Sequence, residues 1–207
     1  MTRVRRNVMI GLGALAAVVL LVALVLYLKV RSRPGYYHIP EAVPADARAE
    51  HIEAFDRVLR KAEEALHKTG AFTITLTVDQ INATLARHQA DPDWRKRVKL
   101  PGDVQHLQVV IEPEYMIVVG LAPTDVGSVV VSAYLGVVVD EAGRLRLRVQ
   151  RLRAGSLDVS RRRARRFVER IESMLPSFDI GRGQRVLLTH VTLAEGEVTV
   201  RGVKENR

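Results

Sequence analysis

Five of the six residues 161–166 are arginine: Arg161, Arg162, Arg163, Arg165 and Arg166. They follow Ser160, a favourable helix cap, and so crowd the first turns of a predicted helix. A helix N-terminus already carries about half a positive charge, and each cation placed there costs about 0.3–1 kcal/mol at low salt. Glu169 and Glu172 relieve part of this through pairs such as Arg165 with Glu169. A cluster that opposes the dipole suits docking onto anionic headgroups, where each basic side chain near the surface adds about 1 kcal/mol. A solvated basic face is the reading that needs no ligand. Arg144, Arg146 and Arg148 alternate with Leu145, Leu147 and Val149 and form a second basic stripe. If it faces the same way, the case for an anionic surface strengthens.

Other chemistry is sparse. The histidines (His38, His51, His67, His88, His106 and His190) are dispersed, and no cysteine is present to complete a zinc site. Gly181-Arg182-Gly183 lacks the later glycine and the helix start of a phosphate loop. No nucleophile elbow occurs. Asn82-Ala83-Thr84 fits a glycosylation sequon but falls inside a predicted helix. The expectation is a protein that is not an enzyme, with no metal and no cofactor.

The net charge of +9 invites a nucleic-acid reading. Six of the 32 basic residues lie in the first 34 positions, which hold no acid, so the remainder carries 26 bases against 23 acids and a net charge of only +3. The single tryptophan, Trp94, sits among Arg95, Lys96 and Arg97, without the aromatic interleaving of a nucleic-acid platform. No nucleic-acid partner is expected.

Residues 8–28 are 21 positions without a charge. As a helix rising ~1.5 Å per residue they span the ~30 Å core of a bilayer. A cleaved signal peptide has an apolar region of ~7–15 residues and a nearby small-x-small site. The nearest here is Ala45-Asp46-Ala47, far past the basic flank of Lys29, Arg31 and Arg33. A retained signal anchor follows. The short tail with Arg3, Arg5 and Arg6 lies in the cytoplasm and the rest of the chain outside it.

Proline and glycine make residues 34–45 a linker, with Tyr36 and Tyr37 at the level of an interfacial aromatic belt. Ile52, Phe55, Val58, Leu59, Ala62, Ala65 and Leu66 recur at helical spacing, and Gly70 stops the helix. Residues 72–76 alternate as a strand. Thr77 and Gln80 have the spacing of a capping box that opens a second helix, closed by Asp91-Pro92-Asp93. Strands follow: 107–111, a turn at Glu112-Pro113-Glu114, 115–121, then a long strand through 129–139 poor in charge on both faces. Gly136 permits a bend in it. The alternation of the next strand slips at Gln150-Arg151, a sign of a bulge or a sheet edge. After the helix at 161–175, residues 184–202 form a last hairpin. The fold class is α+β: an N-terminal transmembrane helix, then an antiparallel, curved sheet of six or seven strands with helices against one face.

Two motifs, Thr-x-x-Gln-Ile-Asn-x-x-Leu (Thr77 to Leu85) and Gly-Ser-Leu-Asp-Val-Ser (Gly155 to Ser160), stand in this order of elements behind an anchor. Over residues 50–203 the chain resembles the YpmS-like membrane-anchored bacterial proteins. More distantly it is similar to one half of a tubular lipid-binding (BPI-like) domain. The resemblance implies a curved sheet wrapped on a helix around an apolar groove, and it supplies no catalytic residues.

Residues 1–33 are thus expected to be tail and anchor, 34–45 linker, and 46–207 an extracytoplasmic domain of a single-pass protein of the cell membrane. That domain is expected to bind lipid or another apolar ligand without covalent chemistry. Val129, Val131, Leu135 and Val137 would line the groove with Phe167, Ile171 and Met174, and Arg161 to Arg166 would steer headgroups to it. The alternative is a closed core in a structural module of the envelope with a protein partner.

Overall fold

Period-two alternation does organise about half of the described domain into antiparallel strands, but they divide between two sheets. The computed structural model describes residues 20–37, 45–97, 104–125, 127–160, 162 and 186–205. Helix α1 covers residues 20–31, the last part of the apolar run and the first basic residues after it. Its Leu20, Leu21, Leu24 and Leu28 are all more than half exposed. Among the described residues no helix is long and apolar enough to cross a membrane, and most of residues 8–28 lies outside them.

Helix α2 (Ala45–Thr69) buries Ala62 and Leu66. Gly70, at φ 70°, ends it and returns its N–H to the Leu66 carbonyl at 3.1 Å. The chain then enters β1 (Ala71–Thr77), helix α3 (Val78–Ala90) and the short helix α4 (Pro92–Arg97). The Thr77 hydroxyl and Gln80 side chain form the expected capping box. Asp91 caps the end of α3 as expected, and its carboxylate also accepts from the Asp93 amide at 2.9 Å, starting α4 where only a stop was expected.

The first sheet contains β2 (Gln105–Ile111), β3 (Met116–Thr124), β4 (Gly127–Val139), β5 (Leu145–Ala154) and β6 (Leu157–Asp158), side by side in chain order. The second orders β1, β8 (Glu197–Lys204) and β7 (Val186–Ala194). The final hairpin pairs with β1, Ile74 opposite Val200, rather than extending the larger sheet. That choice makes two sheets where one was expected. Phe72, Ile74 and Leu188 of the small sheet pack on Ala62 and Leu66 of α2. Its Val198 and Leu76 meet Val109 and Ile111 of β2, and Ile81 and Leu85 of α3 pack against the same cluster. Backbone bonds stitch the sheets together: Leu188 N–H to the Gly143 carbonyl at 2.8 Å, and Gly196 N–H to the Ile111 carbonyl at 3.0 Å.

Strand β2 is an edge, and α3 closes it with side chains. The Gln89 amide donates to the Leu107 carbonyl at 2.9 Å and accepts from the Leu107 N–H at 2.6 Å, and Asn82 does the same for Val109. Exposed strand edges invite foreign pairing, and covering them is one remedy. The sequon asparagine is therefore tied into the fold. Gly136 makes room for the Gln150 side chain, which lies where its Cβ would be. The helix expected at 161–175 lies outside the described residues, apart from Arg162, which is helical and exposed.

Candidate interaction surface

Strand β5 carries arginines at both even and odd positions: Arg146 and Arg148, then Arg151 and Arg153. A regular strand would send the two pairs to opposite faces. The register shifts between Tyr134 and Leu135 of β4, which pair with Arg151 and Val149, so Gln150 is the extra residue of a bulge. Arg146 then lies opposite Val138, Arg148 opposite Gly136, Arg151 opposite Tyr134 and Arg153 opposite Ser132. All four belong to one face of the sheet. The phase slip announced the bulge, but only the pairing shows that it aligns the charges.

Tyr134 organises one end of this face. The Arg151 and Arg153 guanidiniums lie 5.8 and 5.6 Å from its ring centre, within cation–π range. Its hydroxyl lies 3.1 Å from that of Tyr36, and Arg153 donates to it at 3.4 Å. Asp158 accepts from Arg153 at 2.9 Å and lies 3.7 Å from Arg151. The Arg153 hydrogen bond holds the Asp158 carboxyl below the usual carboxylate range. At the other end Asp140 is lowered by the Arg144 backbone N–H and then by Arg146, which it meets at 2.9 Å. Two carboxylates thus offset four guanidiniums. Among the described residues Arg148 has no carboxylate partner. It borders, with Arg146, Val138 and Asp140, a shallow depression of about 500 Å³.

The same face meets the end of α1. The Ser156 N–H and hydroxyl both donate to the Lys29 carbonyl, at 2.9 and 3.0 Å, and Ser32 adds a third bond at 2.8 Å. These satisfy a carbonyl that the helix end leaves without a partner. Gly155, at φ 58°, approaches the Lys29 and Val30 carbonyls so closely that a Cβ would collide with both. The chain then turns at Pro34, whose carbonyl accepts from the Tyr37 N–H at 3.0 Å. Tyr37 is only 6% exposed, packed with Ile117, Val119, Val130 and Tyr134. The Tyr36 hydroxyl donates to Ser132 at 3.2 Å. Burial, opposed by that bond, pushes the Tyr36 phenol up to about 12. Tyr37 thus joins the core of the sheet, and Tyr36 packs against it partly buried. The first part of the expected linker is docked.

No family model, no curated protein and no solved structure matches this chain.

Both sequence motifs now have structural work. Thr77, Gln80, Asn82 and Leu85 cap α3, seal β2 and fill the core. Gly155 and Ser156 dock the sheet on α1, and Val159 donates from its backbone to Leu152 at 2.8 Å.

Of the expected groove residues, Val129, Val131, Leu135 and Val137 share the other face of β4. Leu135 is 1% exposed, packed with Ala133 and Leu152, while the three valines stay half-buried. Phe167, Ile171 and Met174 lie outside the described residues, as do Arg161, Arg163, Arg165 and Arg166. Arg151 and Arg153, with Tyr134 and Tyr36 packed beneath them, are the residues of this site that sequence reasoning missed. Among the described residues no three of His, Asp and Glu gather as a metal set.

Proposed function

We propose that this chain is a single-pass membrane protein whose α+β domain, outside the cytoplasm, is a non-catalytic interaction module of the envelope. The observation that carries this reading is the arginine face of β5, aligned by one bulge and continuous with the docked end of α1. The partner it suits is an acidic protein segment, since four guanidiniums along one strand match carboxylates spaced along an extended chain. The same charges also deter pairing of β5 with unrelated strands.

Binding of an oligo-glutamate peptide to the full chain in nanodiscs tests the proposal. Affinity should fall as salt rises and should be lost when Arg146, Arg148 and Arg151 are replaced by glutamine. Binding that ignores both changes overturns it.

The half-buried Val129, Val131 and Val137 favour a second reading, an apolar or lipid ligand on the opposite face. Native mass spectrometry of the full chain should then retain adducts of lipid mass, with fewer when Val131 is replaced by a charged residue.

A further inference from the structure

The row of residues level with the end of α1 can be followed across the sheet. Lys29 is held by Ser156, and the neighbouring Gly155 N–H bonds to the Val130 carbonyl at 2.7 Å. Val130 pairs with Leu121, and Leu121 pairs with Gln105 at the start of β2. Gln89, near the end of α3, is bonded to Leu107. Helix α4 follows directly, so it sits at the same end of the sheet as the exit of α1. The Cβ position of Gly127, at the β3–β4 turn of that end, lies 4.0 Å from the Arg31 guanidinium. Strand spacings of about 4.8 Å put β2 about 10 Å along the sheet from β4, and α4 lies beyond that edge.

Helix α4 carries Trp94, followed by Arg95, Lys96 and Arg97. Trp94 is half-buried and stacks on His88, with ring centres 6.2 Å apart. A tryptophan beside a basic run suits the headgroup layer, where the ring spans apolar and wet zones and cations meet phosphates. We infer that α4, whose sequence joins Trp94 to three cations, is a second contact with an anionic membrane, Trp94 resting at the headgroup level. This rests on the reading of residues 8–28 as an anchor in that same bilayer.

Trp94 is the only tryptophan, so its emission reports on this site alone. The full chain would be reconstituted into vesicles of equal parts phosphatidylcholine and phosphatidylglycerol, with acyl chains brominated near the headgroup or unmodified. Loss of Trp94 emission in brominated vesicles is expected, with less loss when Arg95, Lys96 and Arg97 are glutamine. Equal emission in the two vesicle types, from protein that floats with them and resists carbonate extraction, overturns the second contact and leaves the anchor standing. Protein that does not float with vesicles at all overturns both.

Discussion

The side chain of Asn82 pairs with Val109 as a neighbouring strand would, donating to its carbonyl at 2.8 Å and accepting from its N–H at 2.7 Å. Replacing Asn82 with alanine strips two partly buried backbone groups of partners. An unsatisfied group of this kind costs about 1–3 kcal/mol. Denaturant unfolding should show a loss of that size, and the Val109 amide should exchange faster with solvent. A variant as stable as the parent, with Val109 still protected, would show that the edge is sealed some other way.

Deleting Gln150 removes the extra residue and leaves the β4–β5 register continuous, Val149 opposite Leu135 and Arg151 opposite Tyr134 as before. All four arginines keep their face. Deleting Leu147 instead shifts part of the strand by one residue and turns Arg146 or Arg148 toward the face that holds Leu135 and Leu152. An uncompensated buried charge costs roughly 3–5 kcal/mol. Thermal unfolding should show the Leu147 deletion losing stability of that order and the Gln150 deletion losing much less. Equal losses would count against Gln150 as the extra residue.

What local pattern could specify, the sequence made legible: the Thr77–Gln80 cap, the stop at Gly70, the strand alternations and the slip at Gln150. Each depends on residues a few positions apart. The division into two sheets did not show, because it turns on β8 choosing β1 as its neighbour across more than a hundred residues. Nor did the burial of Tyr36 and Tyr37, whose partners Ser132 and Tyr134 lie almost a hundred positions away. A proline-rich stretch with two aromatics looks the same whether it drapes over a sheet or lies at a bilayer surface. The arginine face was half visible. Arg146 and Arg148 advertised it, but Arg151 and Arg153 fell out of phase and only the bulge returned them.

Gly155→Ala should loosen the domain from α1. Its positive φ costs a side chain about 1–2 kcal/mol, and the new Cβ meets the Lys29 and Val30 carbonyls. Limited proteolysis between residues 33 and 45 should speed up more than global stability falls. Equal rates in parent and variant would mean the docked turn carries no such restraint.

High pH should weaken the same junction. The Tyr36 phenol is pushed, chiefly by burial, from its ordinary 10 to about 12 in the folded chain. Burial also raises Tyr37. The unfolded chain therefore releases these protons first. Stability is full below pH 10 and declines as pH rises through about 12. Tyr36→Phe should flatten that decline without abolishing it, since Tyr37 remains. A steeper decline in the variant would reverse the assignment.

Leu135 separates the closed core from the groove. With 1% of its surface exposed, its replacement by alanine deletes packed methyl groups and leaves a cavity. Such changes cost about 2–5 kcal/mol when the surroundings do not collapse. A side chain lining an open groove would cost far less, because water or ligand already fills the space beside it. Urea unfolding of Leu135→Ala should give the larger value, with Val137→Ala, on the same face but half-buried, losing markedly less. Two small and similar losses would count against a packed core at β4 and would favour the apolar-ligand reading of this face.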